Sequence, residues 1–184
     1  MENRPENKGL SSLFGVAIMR AMKLSIVLDG IGFPHNVGPI LRIADAVQAE
    51  KVWLCGNTPS PIDHEGQWVE EVIKMAVGAE TVVRWEKKKS VVDVLMSLKE
   101  DGYLIVALHQ SSTSLDYRSF SASPESKIAI VLGNEATGIS PEAVGLSDRL
   151  LEIPVMGMKD SLNVAVACAI AAYAIVFGKE KSDE

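Results

Sequence analysis

Six short runs of apolar, largely β-branched residues alternate along this chain with stretches whose apolar residues recur at helical spacing. That alternation restricts the fold more than any other feature of the sequence. The runs are Leu24–Leu28, Val52–Cys55, Thr81–Trp85, Tyr103–Leu108, Ile128–Leu132 and Leu150–Ile153. Each is continuous rather than alternating in polarity, which suits strands covered on both faces of a parallel sheet. Helical patterns fill the gaps. One spans Pro39–Gln48, with proline suited to a first-turn position. Another spans Gln67–Val77, with Val69, Val72, Ile73 and Ala76 on one face. A third, Val91–Lys99, stops at Asp101-Gly102, and the last, Leu162–Phe177, is closed by Gly178. The pattern predicts an α/β fold: a mostly parallel sheet with helices on both faces. In such folds ligands bind beyond the carboxyl ends of the strands.

No internal repeat or linker divides the chain. The expected organisation is one domain over 23–178, an N-terminal extension over 1–22 and a polar tail over 179–184. Leu10–Met22 reads as a helix packed on the domain, without the basic start and small-residue cleavage site of a leader, and the nine polar residues before it read as disordered. The polar segment 111–126 carries a short turn at Leu115–Tyr117.

Charge narrows the partners. Eighteen Lys+Arg against 24 Asp+Glu leave a net charge of −6, which excludes a surface coated in basic residues but leaves room for a local patch or a groove between subunits. Lys87-Lys88-Lys89, with Arg84 nearby, reads as a solvated turn. Cys55 and Cys168 lie in apolar context and read as reduced core residues of a cytoplasmic protein. No cysteine or histidine cluster has zinc spacing, so no metal is expected. Residues 161–177 are apolar, but Ser161, Asn163 and many small residues favour a core or interface helix over a membrane span.

The strand ends locate the ligand. After the first run comes Asp29-Gly30-Ile31-Gly32-Phe33-Pro34-His35-Asn36-Val37-Gly38. Pro34 and His35 spoil a dinucleotide-binding turn, and Gly56-Asn57 replaces the acidic residue that would take a ribose. No Gly-Lys-Ser/Thr exists for a P-loop. The late strand ends are the glycine-rich ones: Leu132-Gly133-Asn134-Glu135 and Ile153-Pro154-Val155-Met156-Gly157. A cofactor is expected there, with Gly133 letting a strand end approach it. Asp160 and Ser161 are good caps for the helix that follows, whose first amides point outward unpaired. Arg42 falls in the first turns of a helix, where a cation opposes the macrodipole. It either faces solvent or is held there for a reason. His35, His64 and His109 read as structural or exposed, with His109 bordering the cofactor pocket.

Three segments, taken in order, resemble a known family. Asn36-x-Gly38-x-x-x-Arg42, Leu132-Gly133-Asn134-Glu135-x-x-Gly138 and Ile153-Pro154-x-x-Gly157-x-x-x-Ser161-Leu162-Asn163-Val164 look like the three motifs of the SpoU-type RNA 2′-O-ribose methyltransferases of the SPOUT superfamily. The likeness covers about residues 24–177, and Lys74–Glu80 also resembles a recurrent stretch of the family. Val155 stands where many members carry methionine, and Ile43 replaces a common threonine.

The resemblance implies a C-terminal trefoil knot, S-adenosyl-L-methionine as cofactor, and a homodimer whose active site draws on both chains. It implies an RNA substrate, most simply transfer RNA, as in minimal members without an added RNA-binding domain. Ribosomal RNA is the alternative, as is a non-catalytic RNA- or cofactor-binding protein. It assigns Gly133, Ile153 and Leu162 to backbone contacts with the cofactor, and Leu108, Leu132 and Met156 to its pocket. Arg42 matches the catalytic arginine; Asn36, Glu135, Ser161 and Asn163 match the polar shell. An arginine stays protonated at neutral pH, so its expected role is to stabilise charge on the 2′-oxygen and to orient an RNA phosphate; the hydroxyl proton goes either to that phosphate or to Arg42 after a transient loss of its own proton. A small-molecule α/β enzyme acting on a phosphorylated substrate is the remaining rival, but no nucleophile–base pair is visible for it.

Overall fold

The computed structural model describes residues 22–178. The expected helix over 10–22 therefore lies, apart from Met22, outside the described residues, as do the first nine residues and the tail. The elements run β1 (Lys23–Asp29), α1 (Pro34–Ala46), β2 (Lys51–Cys55), α2 (Glu70–Ala76), α3 (Ala79–Val82), β3 (Trp85–Lys88), α4 (Val91–Glu100) and β4 (Leu104–Leu108). There follow β5 (Leu115–Asp116), a 3₁₀ turn at Tyr117–Ser119, β6 (Lys127–Gly133), α5 (Pro141–Leu146), β7 (Arg149–Glu152) and α6 (Val164–Phe177).

Among the described residues, seven strands form one sheet in the order β3-β2-β1-β6-β4-β7-β5, and each pairing between them is parallel. The apolar runs supply its centre. Leu24, Ile26, Leu28, Ile128, Ile130 and Leu132 turn to one face, where α1 and α6 cover them and α2 and α3 pack on α1. Val27, Ile105, Ala107, Ala129 and Val131 turn to the other, against α4 and α5. Both faces are buried, which is why the runs lack polar alternation.

The order creates a crevice. From β1 the chain crosses through α1 to β2 on one side; from β6 it crosses through α5 to β7 on the other. Since β1 and β6 are neighbours, with Asp29 beside Gly133 at their ends, their two outgoing loops diverge from adjacent points. This is the switch point at which parallel α/β sheets bind ligands.

Several expected elements shift. The strand expected at Thr81–Trp85 is β3 at Trp85–Lys88, because Thr81 and Val82 belong to α3. An edge strand has one neighbour and tolerates charge, so it needs no apolar run. The lysine run is accordingly not a solvated turn: Lys87 and Lys88 lie in β3, and the Lys87 ammonium donates to the carbonyls of Gly56 and Thr58. The helix expected from Pro39 starts at Pro34, which takes the first-turn position. Pro39 then sits inside α1 and removes the bond to the carbonyl of His35, an exposed residue. Arg42 is in consequence well inside the helix, beyond the reach of its terminal dipole.

α2 is shorter than its apolar pattern. It ends where Val77 and Gly78 adopt left-handed conformations, with φ of 52° and 92°. Gly38 allows α1 to lie against it: a Cβ there would sit 2.6 Å from the Val72 carbonyl oxygen. α5 escaped the periodicity because six residues are too few to show one, although Ser140-Pro141 is a helix-start signal. α6 is capped by Asn163, whose Oδ1 accepts from the N–H groups of Ala165 and Val166, rather than by Asp160 or Ser161. Cys55 and Cys168 are buried, as expected, and burial pushes both thiols up to about 12. No helix among the described residues is long and apolar enough to cross a membrane.

Candidate active site at the sheet switch point

The β1–α1 loop is anchored from below. Thr58, buried after β2, donates to the Leu28 carbonyl and accepts from the Ile31 N–H at 3.0 Å. The loop after β6 is a tight hairpin. Asn134 and Gly138 exchange backbone bonds of 2.9 and 2.8 Å, and the Asn134 side chain accepts from the N–H groups of Ala136 and Thr137. This closure dictates glycine at 133. A Cβ there would lie 2.2 Å from the backbone of Gly138 and Ile139. Glycine at 133 is therefore required by its own hairpin, independently of any ligand at that strand end.

Side chains then tie the two loops together. Asp29 accepts from both the N–H (2.9 Å) and the hydroxyl (2.7 Å) of Ser140. Asn134 donates to the Gly30 carbonyl at 2.8 Å. Glu135 accepts from the Gly32 N–H at 2.8 Å with one oxygen and from the Asn36 amide with the other. Asn36 in turn accepts from the Asn163 amide at 2.9 Å. Residues from the three motifs, up to 127 positions apart, meet in one hydrogen-bonded chain.

The chain has only one sense. Glu135 can only accept, so the amide nitrogen of the buried Asn36 must face it and the Asn36 oxygen must face Asn163. Burial of Glu135 opposes its ionisation. The Gly32 N–H, the Asn36 amide and nearby backbone N–H groups outweigh that and hold its carboxyl below the usual range. Glu135 is therefore a carboxylate with both oxygens engaged.

The cofactor candidates lie one strand over. Leu108 ends β4, Leu132 and Gly133 end β6, and Ile153 follows β7. These strands are adjacent in the sheet, so their ends form a row. Leu132 is buried; Leu108, Gly133 and Ile153 are partly exposed. Leu162, at the foot of α6, is 39% exposed, and Met156 is 97% exposed in the loop before it, so Met156 contributes no wall to the row within this chain. Ser161 is exposed, its contact to Asp160 being 3.5 Å, and it stays outside the Asn36–Glu135–Asn163 chain.

Arg42 also stands apart. It lies six residues beyond Asn36, about 9 Å along the helix and on another face. It lines an open cleft of about 390 Å³ with Asp45, Ala76, Val77, Gly78, Ala79 and Val82. His109 continues the β4 ladder through its N–H to Leu151, while His35 and His64 are exposed. Sequence reasoning missed Asp29, Thr58, Asn134 and Ser140. Only an acidic residue at a strand end hinted at the first, and nothing local links it to Ser140.

A wholly parallel sheet with a polar chain across its switch point defines an α/β enzyme-like site built for a ligand at the strand ends. Residues 23–173 match the SpoU rRNA Methylase family, to which the chain belongs. It is 32% identical over 157 residues to the tRNA (guanosine(18)-2′-O)-methyltransferase of Escherichia coli K12, matching 84% of this chain and 63% of that protein. The chain thus spans somewhat under two thirds of that relative. Among solved structures, the Aquifex aeolicus TrmH/SpoU tRNA modifying enzyme superposes with a TM-score of 0.72 at 29% identity, covering 88% of this chain and 78% of that one. An AdoMet-bound rRNA methyltransferase from Sinorhizobium meliloti superposes with a TM-score of 0.71 at 26% identity, covering 82% and 54%.

Proposed function

We propose that this protein transfers a methyl group from S-adenosyl-L-methionine to a ribose 2′-hydroxyl of RNA, with transfer RNA as the substrate class. The observation that carries this reading is the Asn36–Glu135–Asn163 chain, which joins one residue from each family motif at the switch point. The row of partly exposed strand ends beside it, Leu108, Gly133 and Ile153, offers apolar side chains and backbone groups. That donor set suits an adenosine and its methionine tail, with Leu162 at the entrance. The bound cofactor supplies an activated methyl group on a sulfonium.

The protein's part is alignment and charge. The ribose oxygen must lose its proton as it bonds to the methyl carbon. Arg42 stabilises the negative charge growing on that oxygen and holds a neighbouring RNA phosphate, which accepts the proton as the methyl group leaves its sulfur. Glu135 fixes Asn36 and the Gly32 turn, and Asn163 fixes the start of α6, so the site is rigid before substrate arrives. Ser161, exposed beside that helix start, meets the same phosphate.

A homodimer completes the reading. Arg42 is separated from the polar chain within one protomer, and a second copy brings it to the partner's strand ends. α6 buries Ala165, Cys168, Ala171, Ala172 and Ile175 on its own sheet. Its other face carries Val166, Tyr173 and Phe177, exposed by 47%, 47% and 52%, with Ile170 between them. This stripe at helical spacing is the surface a second copy covers. The C-terminal segment forms the trefoil knot of the family around the same strand ends, and the protein acts in the cytoplasm without a metal ion. Incubation with labelled S-adenosyl-L-methionine and separated transfer and ribosomal RNA, followed by mapping of the modified nucleotide, tests the activity. Label confined to ribosomal RNA moves the substrate. Cofactor binding without transfer to any RNA leaves a binding protein.

A further inference from the structure

The first turn of α1 carries an aromatic pair that the site as described does not use. Phe33 and His35 stack with ring centroids 5.3 Å apart and planes inclined by 27°. Both are exposed; Phe33 shows 53% of its surface to solvent. An apolar ring left in water beside a polar site calls for an explanation, because the same segment buries Ile31 and Val37 completely.

The pair is held rigidly. Gly32, just before it, is fixed by its N–H bond to Glu135. Pro34, between the two rings, starts the helix, and the Asn36 N–H donates to the Phe33 carbonyl at 3.0 Å. The rings therefore project from the backbone that places Asn36 in the polar chain. They also share a line with Arg42. His35 and Arg42 are seven residues apart on α1, which is two turns, so both lie on one stripe about 10 Å apart. One helix face thus presents an aromatic platform at its start and a guanidinium further along.

We propose that Phe33 and His35 form a stacking platform for an unpaired base of the RNA substrate, next to the nucleotide whose backbone meets Arg42. This rests on the proposed RNA activity and deepens it. Single-stranded RNA is recognised by splayed bases stacked on aromatic rings together with cationic contacts to its backbone. Every base has a π-face, so the platform contributes affinity and position rather than base identity. It also suits a chain with a net charge of −6, in which long-range attraction to RNA is weak and short-range contacts must hold the substrate.

The test compares wild type, Phe33→Ala, His35→Ala, the double variant and Phe33→Trp, using transfer RNA and S-adenosyl-L-methionine as probes. Alanine at Phe33 is expected to raise KM for RNA by about tenfold or more. kcat at saturating RNA and the cofactor Kd should stay within twofold, and Phe33→Trp should restore the RNA KM. A KM for RNA unchanged in the double variant overturns the platform. So does sedimentation showing that the double variant loses dimer, which assigns the rings to the subunit interface. The variant-to-wild-type ratio judges the platform, whereas absence of any methyl transfer by wild type removes the proposed activity itself. In that event RNA affinity by filter binding, equal in wild type and double variant, also overturns the platform.

Discussion

Exchanging Asn36 for aspartate isolates the polar chain, since the substitution keeps shape and changes only one donor. In the wild type the Asn36 amide donates to Glu135 while its oxygen accepts from Asn163 at 2.9 Å. Asn36→Asp leaves the Asn163 bond intact but sets two carboxylates in contact. Bonds to charged groups contribute about 1.5–3 kcal/mol. Glu135 is partly open to water, which screens the repulsion, so a net loss of about 1–3 kcal/mol near pH 7 is expected. The pH dependence gives the sign. In the wild type the Glu135 carboxyl lies below its usual range, so its stabilisation is present above the unfolded value and is lost as pH falls through the lower folded one. In Asn36→Asp one proton is shared by the pair, the folded pKa is raised, and stability declines as pH rises from 5 to 7. Urea midpoints at pH 5 and pH 7 read both trends. Adding Glu135→Gln should recover most of the loss. The introduced glutamine can donate to the introduced aspartate while its oxygen accepts from the Gly32 N–H, which rebuilds both bonds with donor and acceptor exchanged only between positions 36 and 135. A single variant as stable as wild type at pH 7, or a double variant no better than the single, would refute the argument.

Three further outcomes are expected. Gly133→Ala should lower stability by about 2 kcal/mol or more in urea, because its Cβ meets backbone at 2.2 Å rather than a flexible side chain. Arg42→Ala should abolish methyl transfer to RNA while calorimetry shows unchanged cofactor affinity; the side chain is exposed, so the urea midpoint should shift by no more than about 0.5 kcal/mol equivalent. Cys55 and Cys168, buried and with thiols pushed up to about 12, should resist thiol reagents at pH 8 until denaturant is added.

Fold class and most of the sheet are written in the local pattern of the chain. Strands covered on both faces must be apolar throughout, so β1, β2, β4, β6 and β7 were legible within a residue or two at most ends. The pattern failed at β3, where an edge position permits Glu86, Lys87 and Lys88. It failed again at α5, too short to show a period, and at the start of α1, where two prolines competed for one role. The resemblance of three ordered motifs to a known family also singled out Asn36, Glu135 and Asn163, since each motif is a local string of residues. Their joining depended on strand order. β6 had to enter the sheet beside β1 for Glu135 to reach Gly32 and Asn36, and α6 had to return over the same face for Asn163 to reach them. Asp29, Ser140 and Thr58 became functional candidates only there, since a hydrogen bond between residues 111 positions apart leaves no trace in local composition. Local physics fixes which segments become strands and turns; which of them meet depends on how the sheet buries both faces at once, and that is decided only by the whole chain.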